Sequence, residues 1–342
     1  MTTVRLTSPS EQSTFWYNSD MSKERLLAGL ILTLVAAGTG FGAGPDVRIF
    51  RGDARHAYRD PAAVWHDGRL YLFFTLVETE NDGSVFSYLA ESESADLVRW
   101  APPRKLTPRD NAKDYSSPGN VVRDGEDWVL CLQTYPRPGN RDDGKVRYAN
   151  EDARLFTMRS RNLRDWTAPE LLKVKGPDVP EAAMGRMIDP YLLRLPDGGW
   201  MCFYKQNGVS FSKSPDLRTW TPVGRAEAGE NVCVVRDGDR YLMVHSPENG
   251  LGLKTSADLV HWQDVPGRIT LGQADWPWAR GRLTAGFLLD ARQVEGVGRW
   301  LLFFHASGPR REHEGDFDRN ASLALVRAAT VEELMDAVRV SP

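Results

Sequence analysis

Cysteine is scarce in this chain, which has only three among 342 residues: Cys131, Cys202 and Cys233. Their number and wide spacing indicate neither a disulfide framework nor a zinc site. Each cysteine falls within a segment that the pattern predicts to be a strand. We therefore expect three buried thiols that pack as small apolar side chains and take no part in chemistry.

The sequence also lacks a strong charge of either sign. Its formal net charge is −3 at pH 7, which gives no reason to expect nucleic acid or an anionic membrane as a partner. The length allows one large domain or two ordinary ones. The charge pattern says nothing about the oligomeric state.

One long apolar run stands out, at residues 26–37, and it is short for a membrane-spanning helix. Charged residues precede it and small residues follow it, so residues 21–43 are predicted to be a secretory signal peptide. Residues 1–20 are then an upstream extension, and the mature protein is expected to be secreted or periplasmic, without membrane contact. Because no clean Ala-x-Ala site is present near Ala43, an uncleaved anchor remains an alternative.

An internal repeat organises the rest of the chain. A Ser-x-x-Leu-x-x-Trp motif occurs at residues 94–100, 160–166, 214–220 and 256–262. Upstream of each copy an Asp-Gly turn precedes an apolar run, which is a strong hairpin signal. A fifth apolar run, at residues 300–304, follows Gly296 and Gly298. The chain thus contains five units of roughly forty to seventy residues.

These units predict an all-β fold, a five-bladed β-propeller spanning residues 44–330. The alternative is a β-sandwich in which the repeated turns arise by chance. The fifth unit lacks a fourth strand, and residues 46–50 could supply it and so close the ring. Residues 331–342 are expected to form a short C-terminal helix and tail, begun by a capping box of Thr330 and Glu333.

Carboxylates stand near the start of three predicted inner strands. They are Asp60 and Asp189, each followed by proline, and Glu230. We expect all three to occupy one equivalent position, with the fifth blade presenting Arg282 nearby. A proline is expected to place the preceding Asp in an extended conformation, directed out of the strand end.

These residues resemble the five-bladed glycoside hydrolases, above all family 43 (arabinanases, arabinofuranosidases and β-xylosidases), with families 32 and 117 as structural relatives. The resemblance covers residues from about 55 to 328 and implies a carbohydrate substrate. By this resemblance Asp60 is the general base, Asp189 orients the acid and sets its pKa, and Glu230 is the general acid. Arg282 is then expected to contact the site.

The sequence departs from these families at two motifs. Family 43 often has Gly and Pro after the acid, where this chain has Asn231 and Val232. The Trp-Met-Asn-Asp-Pro motif of family 32 is replaced by residues 57–61, Ala-Tyr-Arg-Asp-Pro. The sugar and linkage therefore stay open between a furanoside or xyloside and a fructoside or galactan. A propeller that binds a glycan without cleaving it is a further alternative.

Glycoside hydrolysis needs one protonated and one ionised carboxyl group on either side of the bond. We expect the charge of Asp189 to keep Glu230 protonated, because like charges disfavour a second ionisation. Asp60 would stay ionised and activate water. Since blades one and four are not neighbours, the separation of Asp60 and Glu230 is expected to suit inversion.

Further residues are predicted to bind the substrate or an ion. Two tryptophans lie in the loop before the fifth inner strand, where they could stack on a sugar ring, and three residues in similar positions could bind hydroxyl groups. These candidates are Trp276, Trp278, Tyr58, Tyr115 and Arg186. No cofactor is expected to be required. The resemblance implies that a structural Ca²⁺ in the central channel could be held by His305, or by His245.

Overall fold

The computed structural model of the protein describes residues 46–136, 151–309 and 319–336. The predicted extension and signal peptide, and the tail after residue 336, lie outside the described residues. Within the described part, no helix has the length and apolar character needed to cross a membrane.

Almost all regular structure in these residues is strand. In chain order the strands are β1 (Arg48–Phe50), β2 (His56–His66), β3 (Arg69–Thr79), β4 (Val85–Ser94), β5 (Arg104–Lys105), β6 (Tyr115–Asp124), β7 (Asp127–Thr134), β8 (Arg154–Ser160), β9 (Glu170–Leu171), β10 (Ile188–Arg194), β11 (Trp200–Lys205), β12 (Val209–Ser214), β13 (Thr221–Ala226), β14 (Glu230–Asp237), β15 (Arg240–Ser246), β16 (Leu251–Ser256), β17 (Gln263–Ile269), β18 (Arg282–Ala291), β19 (Arg299–Ser307) and β20 (Ser322–Ala328). A short 3-10 helix (Glu181–Met184) precedes β10, and helix α1 (Val331–Asp336) follows β20.

The strands form five antiparallel sheets of four strands each. Blades one to four are β2–β5, β6–β9, β10–β13 and β14–β17, and blade five consists of β18, β19, β20 and β1. Each inner strand packs against the next, and β18 packs against β2. The prediction of a five-bladed β-propeller is confirmed, and the β-sandwich alternative is wrong.

The ring closes as the sequence predicts. Strand β1, from the N-terminal side of the fold, pairs with β20 and completes blade five. Blade five therefore joins both ends of the propeller. This pairing protects the edge of β20, which a linear array of blades would expose.

The repeated motif is a turn between the third and fourth strands. Its leucine has a positive φ in all four copies, at Leu97, Leu163, Leu217 and Leu259, a conformation that costs energy in a residue with a bulky side chain. In the first copy Ser94 Oγ accepts the N–H of Leu97 at 2.9 Å. The fourth strands that follow are shorter than expected in blades one and two, where β5 and β9 have two residues each.

The hydrophobic core consists largely of second and third strands packed between neighbouring sheets, with Trp200, Trp220 and Trp300 almost fully buried. The three cysteines are free and buried, as predicted. Burial raises the pKa of the Cys131 and Cys233 thiols to about 12. These thiols are therefore protonated and unreactive at neutral pH.

Helix α1 has one half of the predicted capping box. Thr330 Oγ1 accepts the N–H of Glu333 at 3.1 Å, which satisfies one of the N–H groups that a helix start leaves unpaired. The Glu333 carboxylate accepts the N–H of Ala329 at 2.6 Å, one residue before the N-cap Thr330 whose N–H a capping box binds.

Blades two and three meet at a point that tolerates only glycine. A Cβ at Gly119 would overlap the Pro190 carbonyl and the Cys131 sulfur. We expect Gly119→Ala to lower the free energy of unfolding by about 3 kcal/mol, since neither neighbour is a flexible side-chain end. Gly125→Ala is the control, because a Cβ there meets no atom within 4 Å and bears only the cost of its positive φ, about 1 kcal/mol. Equal melting temperatures for the two variants in denaturation experiments would contradict this assignment.

Candidate active site

A cavity of about 380 Å³ opens at the centre of the ring. It is lined by the starts of the inner strands, the ends of the second strands and the segments next to them. Its lining residues are Arg59, Asp60, Thr75, Ser87, Asp114, Ser116, Ser117, Gln133, Tyr135, Arg186, Ile188, Asp189, Glu230, Asn231, Arg282, Thr284 and His305. The three predicted carboxylates are thus brought into one cavity.

Each inner strand carries a bulge near its start. The pairing with the second strand shifts register there in every blade, and one residue at each bulge has a φ between +42° and +52°. These five bulge residues are Asp60, Ser117, Asp189, Asn231 and Ala285. They are the structurally equivalent positions of the five blades.

This equivalence corrects two expectations. Glu230 is not equivalent to Asp60 and Asp189 but precedes the bulge residue Asn231 by one position. The blade-five counterpart is Ala285, three residues after Arg282. Pairing of Glu230 with Ser246 matches the pairing of Arg59 with Thr75. Asp60 is also not extended, since its φ is +50°. Asp and Asn adopt this left-handed conformation more readily than most residues.

Asp60 is buried and well supplied with donors. Its Oδ2 accepts hydrogen bonds from Thr75 Oγ1 at 2.9 Å and from Ser117 Oγ at 3.1 Å, and Arg59 Nη2 lies 3.9 Å from the same oxygen. Burial acts to raise the pKa of Asp60, but the Arg59 charge and the two hydroxyl donors outweigh it, so the pKa is lowered. Asp60 is therefore ionised at neutral pH.

The pKa of Asp189 is shifted in the opposite direction to that of Asp60. Burial, together with the negative charges of Glu230 and Asp60, raises the pKa of Asp189 to about 8. Asn231 donates to both carboxyl oxygens, from Nδ2 to Oδ1 at 3.0 Å and from its backbone N–H to Oδ2 at 3.3 Å. Asp189, in its pair with Glu230, is therefore mostly protonated at neutral pH.

Glu230 is the more accessible member of this pair. It is half-buried at the first position of β14. Its carboxyl group makes no hydrogen bond with any of the described residues, in contrast to Asp60 and Asp189. A group placed in the cavity could therefore approach Glu230 directly.

His305 anchors Asp60 from the neighbouring blade. Its Nδ1 accepts the backbone N–H of Asp60 at 3.0 Å. Burial lowers the pKa of His305 to about 3, so the ring is neutral and Nε2 carries its hydrogen. The distance of 3.6 Å between Nδ1 and Asp60 Oδ1 is accordingly not an ion pair.

These contacts do not fit the Ca²⁺ role expected for His305. A metal needs a free lone pair on a ring nitrogen, and in His305 one nitrogen accepts a hydrogen bond while the other carries a proton. His245 resembles it, because its Nδ1 accepts the N–H of Gly229 at 3.0 Å. In the described part of the chain, no group of three or more His, Cys, Asp or Glu residues is arranged to hold a metal ion.

Two of the predicted substrate-binding residues line the cavity. Arg282 is the first residue of β18, and Arg186 lies just before β10. The Arg186 guanidinium donates to the Tyr135 hydroxyl at 3.1 Å. The cavity thus combines cationic side chains with its carboxylates.

The other four predicted binding residues lie elsewhere. Trp276 and Trp278 stack on each other, with ring centroids 5.4 Å apart, and both stack on Phe304. Tyr58 stacks on Phe50 at 5.2 Å, and Tyr115 packs edge-on against Phe156. None of the four belongs to the cavity lining in the described structure, because each aromatic ring is directed into packing between strands.

Sequence reasoning missed most of the polar lining. Thr75, Gln133 and Asp114 were not singled out, although Thr75 and Gln133 pair with the residue before the bulge in blades one and two, as His305 does in blade five. Aligning all five second strands would have revealed them. Asn231 was noted only as a departure from a family pattern.

The chain matches no protein-family model, and no curated protein matches it in sequence. Several solved structures share its fold. A thermostable family-43 glycoside hydrolase superposes with a TM-score of 0.56 at 14% identity, over 80% of this chain and 90% of that one. The catalytic domain of a GH62 α-L-arabinofuranosidase from Coprinopsis cinerea gives 0.58 at 16% identity, over 81% and 96%.

A third similar structure is the exo-β-1,3-galactanase 1,3Gal43A from Clostridium thermocellum. Its TM-score is 0.59 at 14% identity, over 82% of this chain and 62% of that one. At these identities the likeness establishes the shared fold of a five-bladed propeller. The activity of this chain has to be argued from its own cavity.

The raised pKa of Asp189 predicts a specific dependence of stability on pH. Because the folded protein binds this proton more tightly than the unfolded chain, the free energy of unfolding should fall as pH rises from about 4 to about 8. We expect Asp189→Asn to flatten this decline, measured by chemical denaturation across that range.

Asp60→Asn is the matched control, because the pKa of Asp60 is lowered. Asp60 should stabilise the fold at neutral pH and lose that contribution as the pH falls below its unfolded value, near 4. A decline between pH 4 and 8 that is unaltered in Asp189→Asn would show that Asp189 is not the group responsible.

Proposed function

We propose that this protein is a glycoside hydrolase that cleaves O-glycosidic bonds of a furanoside or xyloside by inversion. Glu230 is the general acid, Asp60 the general base, and Asp189 the residue that orients Glu230 and sets its pKa. The observation that carries the proposal is the convergence of these three carboxyl groups, from blades four, one and three, in one central cavity.

The environment of Asp60 suits a base that activates water. Its pKa is lowered, and hydroxyl donors occupy Oδ2. The backbone is fixed by the bond from its N–H to His305. A base held in one orientation loses little entropy when it removes a proton from a bound water molecule.

The Asp189–Glu230 pair suits proton donation. Asp189 keeps its proton at neutral pH, because burial and the negative charges of Glu230 and Asp60 raise its pKa to about 8. This replaces the expectation that Asp189 is the charged partner. Glu230, which makes no hydrogen bond with the described residues, is the member able to deliver a proton to a leaving oxygen.

The blade positions of acid and base favour inversion. Blade five lies between blades four and one in the ring, so Glu230 and Asp60 approach a substrate from different sides of the cavity. Inverting enzymes keep their two carboxyl groups roughly 6.5–9.5 Å apart to leave room for water, whereas retaining enzymes keep them about 5 Å apart.

The names of similar structures support the substrate class. They include an exo-1,5-α-L-arabinanase, a β-xylosidase and a xylan β-1,4-xylosidase. The galactanase likeness keeps a galactan as a second candidate. Export of the protein by its signal segment, residues 21–43, would bring it to such glycans and belongs to the same proposal.

The role of Glu230 predicts a large loss of activity in Glu230→Gln. Removing a general acid should reduce kcat/KM by about 10²–10⁴-fold on whichever nitrophenyl arabinofuranoside, xyloside, galactoside or fructoside the wild type cleaves. Glu227→Gln, three residues earlier and exposed, should retain wild-type activity. Glycan binding without hydrolysis by the wild type would favour the non-catalytic propeller.

Inversion predicts the configuration of the first product. A β-linked substrate should yield the α-anomer, and an α-linked substrate the β-anomer, before mutarotation mixes them. Proton NMR within the first minutes of hydrolysis measures this. Retention of configuration would overturn the assignment of Asp60 as a base and would make it a nucleophile.

A further inference from the structure

The five bulges are tied together by one repeated hydrogen bond. In four of them the backbone N–H of the bulge residue donates to a second-strand side chain of the preceding blade. This side chain always belongs to the residue that pairs with the position just before that blade's own bulge. The donor–acceptor pairs are Asp60 to His305 at 3.0 Å, Ser117 to Thr75 at 2.7 Å, Asp189 to Gln133 at 2.6 Å and Ala285 to Ser246 at 2.7 Å.

The remaining bulge, at Asn231 in blade four, lacks this hydrogen bond to the preceding blade, and the cause is Lys205. In blade three Lys205 pairs with Ile188, as Thr75 pairs with Arg59 in blade one, so it stands where the acceptor belongs. An ammonium group has donors and no acceptor, and Lys205 Nζ itself donates to the Ala228 carbonyl at 3.3 Å. The N–H of Asn231 therefore cannot bond to this position.

The diverted N–H turns to Asp189. Asn231 contacts Oδ2 through its backbone and Oδ1 through Nδ2, so one residue holds both oxygens of the carboxyl group. Ser117 holds only one oxygen of Asp60. Its hydroxyl donates to Oδ2, while its backbone N–H donates to Thr75. Lys205 and Asn231 thus act together on one carboxyl group.

We propose that Asn231 is a positioning residue for Asp189, made available for that role by Lys205, and that its two hydrogen bonds govern how tightly Asp189 holds its proton. This inference rests on the proposed function for its catalytic meaning. The hydrogen bonds of Asn231 to Asp189 do not depend on that function.

Charged groups face Asp189 from several elements. Glu230 of β14 and Asp60 of β2 favour its protonated form, while Arg186 before β10 and the Asn231 amide favour its ionised form. Tyr135, after β7, bonds Arg186, and Lys205 of β11 lies at the blade end. Loss of a donor from Asn231 should therefore strengthen proton binding by Asp189.

The test is a ¹³C NMR titration of carboxyl groups in the full-length protein, with Asp189→Asn used to assign the signal. Asn231→Ala should move the Asp189 midpoint upward by about one pH unit, because a hydrogen bond to a charged group is lost. Alanine fits this backbone position, since Ala285 adopts a φ of +52° at its equivalent. Asn231→Ser, which restores a hydroxyl donor as in Ser117, should shift the midpoint less.

A second variant tests the origin of the arrangement. Lys205→Ser supplies the acceptor found in blade four and should draw the Asn231 N–H away, which raises the Asp189 midpoint as well. Ser117→Ala is the matched control: it should raise the Asp60 midpoint and leave that of Asp189 in place. An unchanged Asp189 midpoint in folded Asn231→Ala overturns the proposal.

Hydrolysis gives a second readout that separates this proposal from the proposed function. In the pH profile of kcat/KM, the basic limb should move to higher pH in Asn231→Ala. The acidic limb should move to higher pH in Ser117→Ala. Absence of hydrolysis by the wild type on every glycoside would defeat the proposed function, while the NMR midpoints would still decide the role of Asn231.

Discussion

The buried backbone N–H at each inner-strand bulge is the constraint on which this structure depends. A bulge removes one residue from its ladder, and a buried N–H without an acceptor is costly. Four blades solve this with a side chain from the neighbouring blade, among them His305, Thr75 and Gln133. The same bonds therefore join the blades and position the side chains that line the cavity.

This arrangement gives two equivalent aspartates different protonation states. Asp60 and Asp189 have the same backbone conformation and similar burial. Two hydroxyl donors and the Arg59 charge favour the ionised form of Asp60. Asp189 lies beside Glu230, and its donors come from one residue, Asn231. The neighbours on the ring, and not the fold position, decide which carboxyl group keeps a proton.

Much of this architecture follows from the sequence. The four copies of the Ser-x-x-Leu-x-x-Trp repeat, together with the apolar run at residues 300–304, predicted the number of blades. Residues 46–50 were predicted to close the ring. The bulges were not predicted, because the prolines after Asp60 and Asp189 indicated extended backbone. A single inserted residue also cannot be recognised in a run of apolar residues. Glu230 was consequently placed one residue out of register. The role of Thr75 was also hidden, since it depends on a partner in another blade.

The aromatic residues were also misplaced by sequence reasoning, because their packing partners lie in other strands. Their positions leave the cavity lined mainly by polar side chains. Trp276 and Trp278 precede an inner strand, yet Phe304 offers them a large apolar partner, and stacking on it removes their rings from water. Among the residues described in the cavity lining, Tyr135 and His305 alone carry aromatic rings. Recognition there falls mainly on charged and hydrogen-bonding groups such as Arg186 and Arg282. A ligand in this cavity would thus be oriented by the same polar side chains that surround the carboxyl groups.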